Sequence, residues 1–312
     1  MHLPINYIRH DQIDFTKWDF AISAARNNRI YAVSAFLNYM CDEKWDALSL
    51  GDYEYVMPLP FRKKFGIKYL YVPAFIQQLG IFSCNCIDEK LVTAFLKAIP
   101  QRFMYCDLVL NSNNPSAGYS AVSKKNYLLP LHDPYNVLQK KYSRSANRNI
   151  KTAIQEGVSI EERISPEITI QLHRQRFKDN IGATNEDYRK LKDLLFLLTK
   201  EERCISFAAK KNNTIIATST YIIFKDRLVF LINGNTRRSL ETGATHLLKD
   251  YVIHKFSNSA FTLDFEGSDF PSFARFYEQF GAKQIELYQH LIINRLPWPI
   301  KWLKRSKVSV SL

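Results

Sequence analysis

No stretch of this chain approaches the roughly 20 consecutive apolar residues that a membrane-spanning helix needs. Its first residues, M-H-L-P-I-N-Y-I-R-H-D, lack the apolar core of a secretion signal, so a cytoplasmic protein is expected. Cysteine is sparse: five residues, an odd number, at 41, 84, 86, 106 and 204. Only Cys84 and Cys86 are near neighbours, and their spacing suits neither a zinc pair nor a redox C-x-x-C, which predicts reduced and mostly buried thiols. The seven histidines include no pair at metal-ligand spacing on one face, and neither G-x-S-x-G nor H-E-x-x-H occurs. No metal is expected. Acid is also short: the net charge is +13, and no Asp or Glu falls between Lys140 and Lys151. Such a surplus favours nucleic acid, phosphate-rich cofactors or an acidic membrane face, although a basic surface that only keeps the protein in solution gives the same number.

With 312 residues, 46% of them hydrophobic, the chain can build about two domains of ordinary size, each with its own core. Periodicity predicts a helix over 14–27, short strands over 30–33 and 47–50, and a pair of strands flanking a basic turn at Arg62 to Lys64. Pro58, Pro60 and Pro73 mark those strands as edges or bulged, since proline cannot donate to a ladder. A helix over 88–99 and strands over 103–110 and 119–129 follow, and the prolines near 130–134 suggest a boundary, giving domains 1–132 and 133–312. Next comes a helix with an apolar stripe of Ala146, Ile150, Ala153 and Ile154, ended by Gly157. Lys140, Arg144, Arg148 and Lys151 form a row on it that can either meet phosphates or be a solvated face.

Beyond it lie a strand over 158–162, helices over 166–180 and 185–200, and strands over 204–209, 214–224 and 227–232, whose tight polar breaks imply an antiparallel meander. The run N-G-N-T-R-R-S-L-E-T-G-A then leads into a helix with Leu240, Ala244, Leu247, Leu248, Tyr251 and Val252 on one face, and a strand over 283–293 closes the chain. The most informative block is A-F-T-L-D-F-E-G-S-D-F-P-S-F-A-R-F-Y-E-Q-F-G-A, residues 260–282. Alternation sets Phe261, Leu263 and Phe265 on one face of a strand, with Thr262, Asp264 and Glu266 on the other. A turn at Gly267 and Ser268 precedes a helix that opens at Pro271 and stops at Gly281. Polar groups at a strand's carboxyl end beside a helix N-terminus are where open α/β sheets place ligands. The fold class is α/β or α+β.

This order, with a glycine turn entering the helix after the meander, resembles the GNAT acyltransferase fold. Y-S-R-S-A-N-R-N-I-K-T-A-I-Q-E-G-V-S-I, G-A-T-H-L-L-K-D-Y-V-I and the block above sharpen it to the Fem-like branch, and M-P-L-P-F-R-K-K-F-G-I-K-Y-L and P-A-F-I-Q-Q-L-G add to it. The resemblance spans most of the chain and implies two tandem GNAT-like domains, each a mixed and mostly antiparallel sheet flanked by helices. It implies transfer of an acyl group from acyl-CoA or aminoacyl-tRNA to an amine, in which a cell-wall precursor or other lipid-linked molecule is a possible acceptor. One position departs from the pattern: Glu241 stands where the first glycine of the pyrophosphate turn is usual, and a carboxylate there repels pyrophosphate.

Acyl transfer to an amine needs a proton acceptor, an oxyanion donor and tight positioning. Asp264 and Glu266 are the candidates for binding or deprotonating the ammonium, with Ser268 and Tyr277 as hydrogen-bond donors and Arg275 for a carboxylate or phosphate. Arg144, Arg148, Lys151, Asn233, Arg238 and Gly243 are the candidate donor-binding residues. Structural alternatives stand beside these: Asp264 can pair with Arg275 or cap a helix, Ser268 and Asp269 can cap the helix at Pro271, and the phenylalanines are core. The tail L-P-W-P-I-K-W-L-K-R-S-K-V can rest on the inner face of an anionic membrane or pack on the second domain. A non-catalytic protein that binds RNA or phosphate-rich ligands is the alternative.

Overall fold

The computed structural model describes residues 4–115, 118–177, 182–267 and 271–297. Its elements begin with β1 (Ile5–Ile8), α1 (Phe15–Ala24), α2 (Ser34–Cys41), β2 (Trp45–Leu50), β3 (Tyr55–Lys64), β4 (Ile67–Leu70), β5 (Phe82–Ser83), α3 (Glu89–Ala98) and β6 (Phe103–Leu110). There follow β7 (Ala121–Pro130), α4 (Tyr135–Gln139), α5 (Arg144–Gln155), β8 (Ser159–Glu162), α6 (Pro166–Phe177), α7 (Asn185–Lys200), β9 (Cys204–Lys211) and β10 (Thr214–Phe224). The last are β11 (Arg227–Asn235), α8 (Arg237–Glu241), α9 (Ala244–Phe256), β12 (Thr262–Gly267), α10 (Pro271–Glu278) and β13 (Lys283–Asn294). Two compact units result, one from the described residues up to Lys124 together with those from Leu287 onward, the other Lys125–Glu286.

In the first unit the strands run β1-β2-β3-β4-β6-β13, antiparallel except for the parallel pair β4 and β6. In the second they run β8-β9-β10-β11-β12-β7, again antiparallel except for β11 and β12. A helix pair follows the first strand of each set, and a helix crossover joins each parallel pair, as parallel strands require. The two halves therefore repeat one mixed α/β plan. The first unit's core gathers Leu48, Leu59, Phe95, Phe103 and Leu110. The second packs Leu131, Phe207, Tyr221, Leu263, Phe265 and Phe280 between sheet and helices.

Several local expectations shift. Residues 30–33 are not a strand: Ile30–Ala32 forms a single 3-10 turn that leads into α2. Arg62 to Lys64 belong to β3, and the reversal falls one step later at Phe65 and Gly66, both at positive φ. Pro58 and Pro60 lie where β3 has β2 beside it but neither β5, which pairs with Tyr55 and Val56, nor β4, whose pairing with β3 starts at Phe61. Their missing N–H groups leave that gap without a broken ladder. Lys140 caps the short α4 and is not part of α5, and Ile154 is 62% exposed, outside the apolar stripe.

One buried ionic cluster holds the second sheet where β11 and β12 meet. Arg227 donates to Asp264 at 2.7 Å and to Glu286 at 2.8 Å. The Asn126 amide donates to both carboxylates, at 3.2 and 3.1 Å. Removing the guanidinium would leave two enclosed carboxylates facing each other. Arg227→Ala is expected to cost about 3–5 kcal/mol of stability, measured by urea unfolding, because breaking a buried ion pair strands its partners.

Candidate functional site

β11 and β12 pair in parallel only over Arg227–Thr262, Leu228–Leu263 and Val229–Asp264. Beyond Val229 and Asp264 they part. At the same point the register of β10 and β11 slips: Tyr221 faces Phe230 but Thr220 faces Ile232, which makes Leu231 an extra residue in β11. A bulge of this kind bends its strand and re-aims side chains. β12 is distorted as well, since its register against β7 slips between Asp264 and Gly267 and Glu266 takes a φ of 62°. The opening therefore lies at the carboxyl ends of two parallel strands, the usual ligand position in such sheets.

Aromatic rings line it. Tyr221 stacks on Phe230 with centroids 5.3 Å apart, and Phe265 lies 4.6 Å from Tyr277 of α10. Phe230 meets Phe265 and Tyr277 edge-on at 6.4 and 6.5 Å. Two ionisable side chains enter this ring cluster. Glu266 is a partly exposed residue whose Oε1 is fully enclosed and has no hydrogen-bond partner among the described residues. Burial lifts its carboxyl far above the ordinary range, and its charge adds to the burial that raises Tyr277. From α9, Lys249 reaches in, 3% exposed, and donates to Tyr221 Oη at 2.7 Å. Its Nζ lies 3.3 Å from the Phe230 centroid and 5.0 Å from that of Phe265, and burial pushes the amine well below the usual lysine range.

Asp264 and Glu266 thus serve different surroundings, contrary to a regular strand that would present both on one face. Asp264 is 4% exposed, held by Arg227 and Asn126, and accepts the backbone N–H of Glu266 at 2.9 Å. The positive φ at Glu266 breaks the two-residue period, which separates the two carboxylates. Tyr277 is buried in the ring cluster, whereas Arg275 is exposed and donates to the Pro271 carbonyl at 3.1 Å. Asp264 pairs with Arg227, from the neighbouring strand, and Arg275 takes no part in that cluster. Ser268 lies outside the described residues, as do Asp269 and the tail from Trp298.

Apart from Asn233, which lies on β11, the donor-side candidates gather on α5, α8 and the start of α9. Arg144, Arg148 and Lys151 are exposed on α5 and make no ion pair among the described residues. Gly243, at φ 71°, N-caps α9, and a Cβ there would run into the Asn149 carbonyl of α5. This glycine is needed for the close crossing of the two helices. The loop before it is wound into α8, where exposed Glu241 accepts from Arg237 at 3.1 Å and Arg238 stays exposed. Beside the crossing, His246 Nε2 lies 2.9 Å from Gln279 Oε1 and 3.3 Å from Asn149 Nδ2, with its imidazole lowered by burial. Asn233 takes part through its backbone: its carbonyl accepts from His173 Nδ1 at 2.7 Å, and burial pulls His173 down to about 4.

Sequence reasoning passed over Lys249, Tyr221 and Arg227. A signal existed for the first, because Lys249 stands three and four residues before buried Val252 and Ile253, inside the buried face of α9. Glu266 makes a sign-definite prediction. Its folded pKa lies above the unfolded one, so its contribution to stability is complete below the ordinary carboxyl range and is lost as pH rises through the folded value. Glu266→Gln is expected to match wild type near pH 4 and to exceed it in stability at pH 8, as read by urea midpoints.

No family model matches the sequence, and no curated protein matches it. Solved structures do. FemX superposes with a TM-score of 0.66 at 11% identity, covering 96% of this chain and 99% of FemX. A C-terminal domain assigned as a lysylphosphatidylglycerol synthetase, from Agrobacterium fabrum, gives 0.57 at 10% identity, covering 93% and 94%. A tandem GNAT protein of the clavulanic acid biosynthesis pathway gives 0.53 at 10% identity, covering 94% and 99%. The likeness is one of fold: with the repeated strand plan, it shows that this chain shares the fold of FemX and of the tandem GNAT protein.

Proposed function

We propose that the protein is an N-acyltransferase or aminoacyltransferase that moves an acyl group from acyl-CoA or aminoacyl-tRNA to an amine, with the chemistry in the opening between β11 and β12. The observation that carries this reading is the enclosed Oε1 of Glu266, unpartnered among the described residues, at the carboxyl ends of two parallel strands. An unsatisfied buried carboxyl oxygen is costly unless a ligand completes it. Burial raises the Glu266 carboxyl pKa and favours its protonated form, which suits it to serve the oxyanion or the leaving group as a proton donor, while Tyr277 supplies a hydroxyl. Asp264 orients Glu266 through its backbone N–H.

Arg144, Arg148, Lys151 and Arg238 are proposed to bind the phosphates of the donor, which accords with the chain's +13 charge. Arg275 is proposed for an acidic group of either substrate, Ser268 for a further hydrogen bond, and the Gly243 turn for the approach of the donor. A cell-wall precursor or another lipid-linked amine is the proposed acceptor class, with the reaction on the inner side of a membrane. None of the described helices is long and apolar enough to cross one. One observation favours the binding-only alternative: Glu241 and the Asn149 carbonyl occupy the surroundings of the Gly243 turn.

Acetyl-CoA and alanyl-tRNA, offered with a panel of amino-acid and peptide amines, separate these readings. Turnover with alanyl-tRNA supports the Fem-like form, turnover with acetyl-CoA alone supports ordinary acetyl transfer, and binding without turnover of either supports the binding protein. Glu266→Gln is expected to lower kcat by about a hundredfold, the scale of a lost acid–base group. If tRNA is the donor, replacing both Arg144 and Arg148 by Ala should reduce the salt dependence of log K by about two. An unchanged slope would mark the row as a solvated face.

A further inference from the structure

We propose that Lys249 is a catalytic residue of this opening: its Nζ takes a proton from the acceptor's ammonium group while Tyr221 holds the amine in place. The assignment rests on the transferase reading and fills a role that reading leaves empty. That reading gives Glu266 the part of proton donor, and Asp264 is committed to Arg227.

The geometry around Nζ is unusual for a lysine. Lys255, six residues further along α9, pairs with Glu162 at 2.8 Å near the surface. Lys249 has no carboxylate within ion-pair distance among the described residues, and Tyr221 Oη is the oxygen it reaches. A charged ammonium carries three N–H donors and no lone pair. One would find Tyr221, and the others would face only the rings of Phe230 and Phe265. Ring faces attract a cation, but they return less than the full desolvation of an unpaired ammonium costs. A neutral amine fits the site: one N–H donates to Tyr221, a second lies against the Phe230 face, and the lone pair remains available.

Its position also matters. Val229 and Asp264 are the last pair between β11 and β12, and the rings nearest Nζ from those strands are Phe230 and Phe265, the next residue of each. The amine therefore sits where the strands begin to part. The titratable groups around the same rings are Tyr221 from β10, Tyr277 from α10 and Glu266 from β12, while β9 and β11 contribute the apolar Phe207 and Phe230. Burial acts on all four in the direction of the uncharged form.

The balance of the step follows. The acceptor R–NH3+ gives one proton to the Lys249 lone pair, which becomes an ammonium, and R–NH2 attacks the acyl carbonyl to form a C–N bond. The tetrahedral intermediate then collapses with cleavage of the C–S bond of a thioester or the C–O bond of an aminoacyl ester. The second proton of the attacking nitrogen is transferred to the departing sulfur or oxygen through the Glu266 carboxyl, which gives its own proton and takes that one. Lys249 returns its proton to solvent and is restored as an amine.

The test has two readouts. First, NMR of lysine labelled at Cε and Nζ, compared with Lys249→Met to identify the missing signal, is expected to show Lys249 uncharged at pH 8 while surface lysines remain charged. A Lys249 signal that titrates with the surface lysines overturns the proposal, and this readout needs no substrate. Second, with the donor and amine that wild type turns over, Lys249→Met and Lys249→Arg are each expected to lose kcat/KM by about a hundredfold at neutral pH, the scale of general-base removal. Lys249→Met is expected to regain activity as pH approaches the acceptor's own pKa, whereas a purely structural role would leave a loss independent of pH. Undiminished turnover in Lys249→Met overturns the assignment of Lys249 alone. Absence of turnover in wild type with every donor overturns the transferase reading and the Lys249 role together. Should Lys249→Met fail to fold, Lys249→Arg is used both to assign the NMR signal and to read the pH dependence.

Discussion

The parting of β11 and β12 after Val229 and Asp264 is the constraint on which the rest of the second unit depends. Two features enforce it. Arg227, bound by Asp264 and Glu286, fastens the strands where pairing begins, and the extra residue at Leu231 together with the positive φ at Glu266 bends both away once pairing ends. A buried ion cluster of this kind adds little net stability over a well-packed apolar substitute, but it specifies which strands meet and in what register. Wide rings then fill the space that opens, so that the gap is lined by Phe230, Phe265 and Tyr277.

Ionisable groups placed against those rings cannot keep their ordinary charge. The same burial that raises Glu266 lowers Lys249, so both are pushed toward their uncharged forms around one aromatic cluster. Both positions are costly for folding, because the charged form of either group is desolvated there. Stability lost at such positions is balanced by the core around them, where Leu263, Phe265 and Phe280 are all but fully buried. The helix side of the site is built on a different constraint: α5 and α9 cross closely enough that position 243 accepts only a hydrogen as its side chain. This crossing sets the exposed row of Arg144, Arg148 and Lys151 on the helix that abuts the start of α9.

Much of the architecture was legible in the sequence because it is periodic. The meander of β9, β10 and β11, the helices α6 and α7, and the strand and helix on either side of Gly267 and Pro271 all carry spacings that local rules interpret. The two tandem domains that the resemblance implies became one strand plan used twice, with β13 completing the first set of strands and β7 the second. What local rules could not read were the places where the backbone leaves its period. The turn at Ile30–Ala32 was mistaken for a strand because three consecutive buried residues look alike in either form. The shared face expected of Asp264 and Glu266 failed for the same reason, since the bulge carries no periodic mark.

By itself the sequence determined the mixed α/β class, the order of most elements and the net positive charge, all of which follow from composition or from neighbours close along the chain. Only the tertiary structure decided the partners. Arg227 and Asp264 are 37 positions apart, and Lys249 meets Tyr221 across 28. No spacing rule spans such distances, because which side chains face one another there depends on sheet register and helix docking, and on the energy of burying a charge among rings.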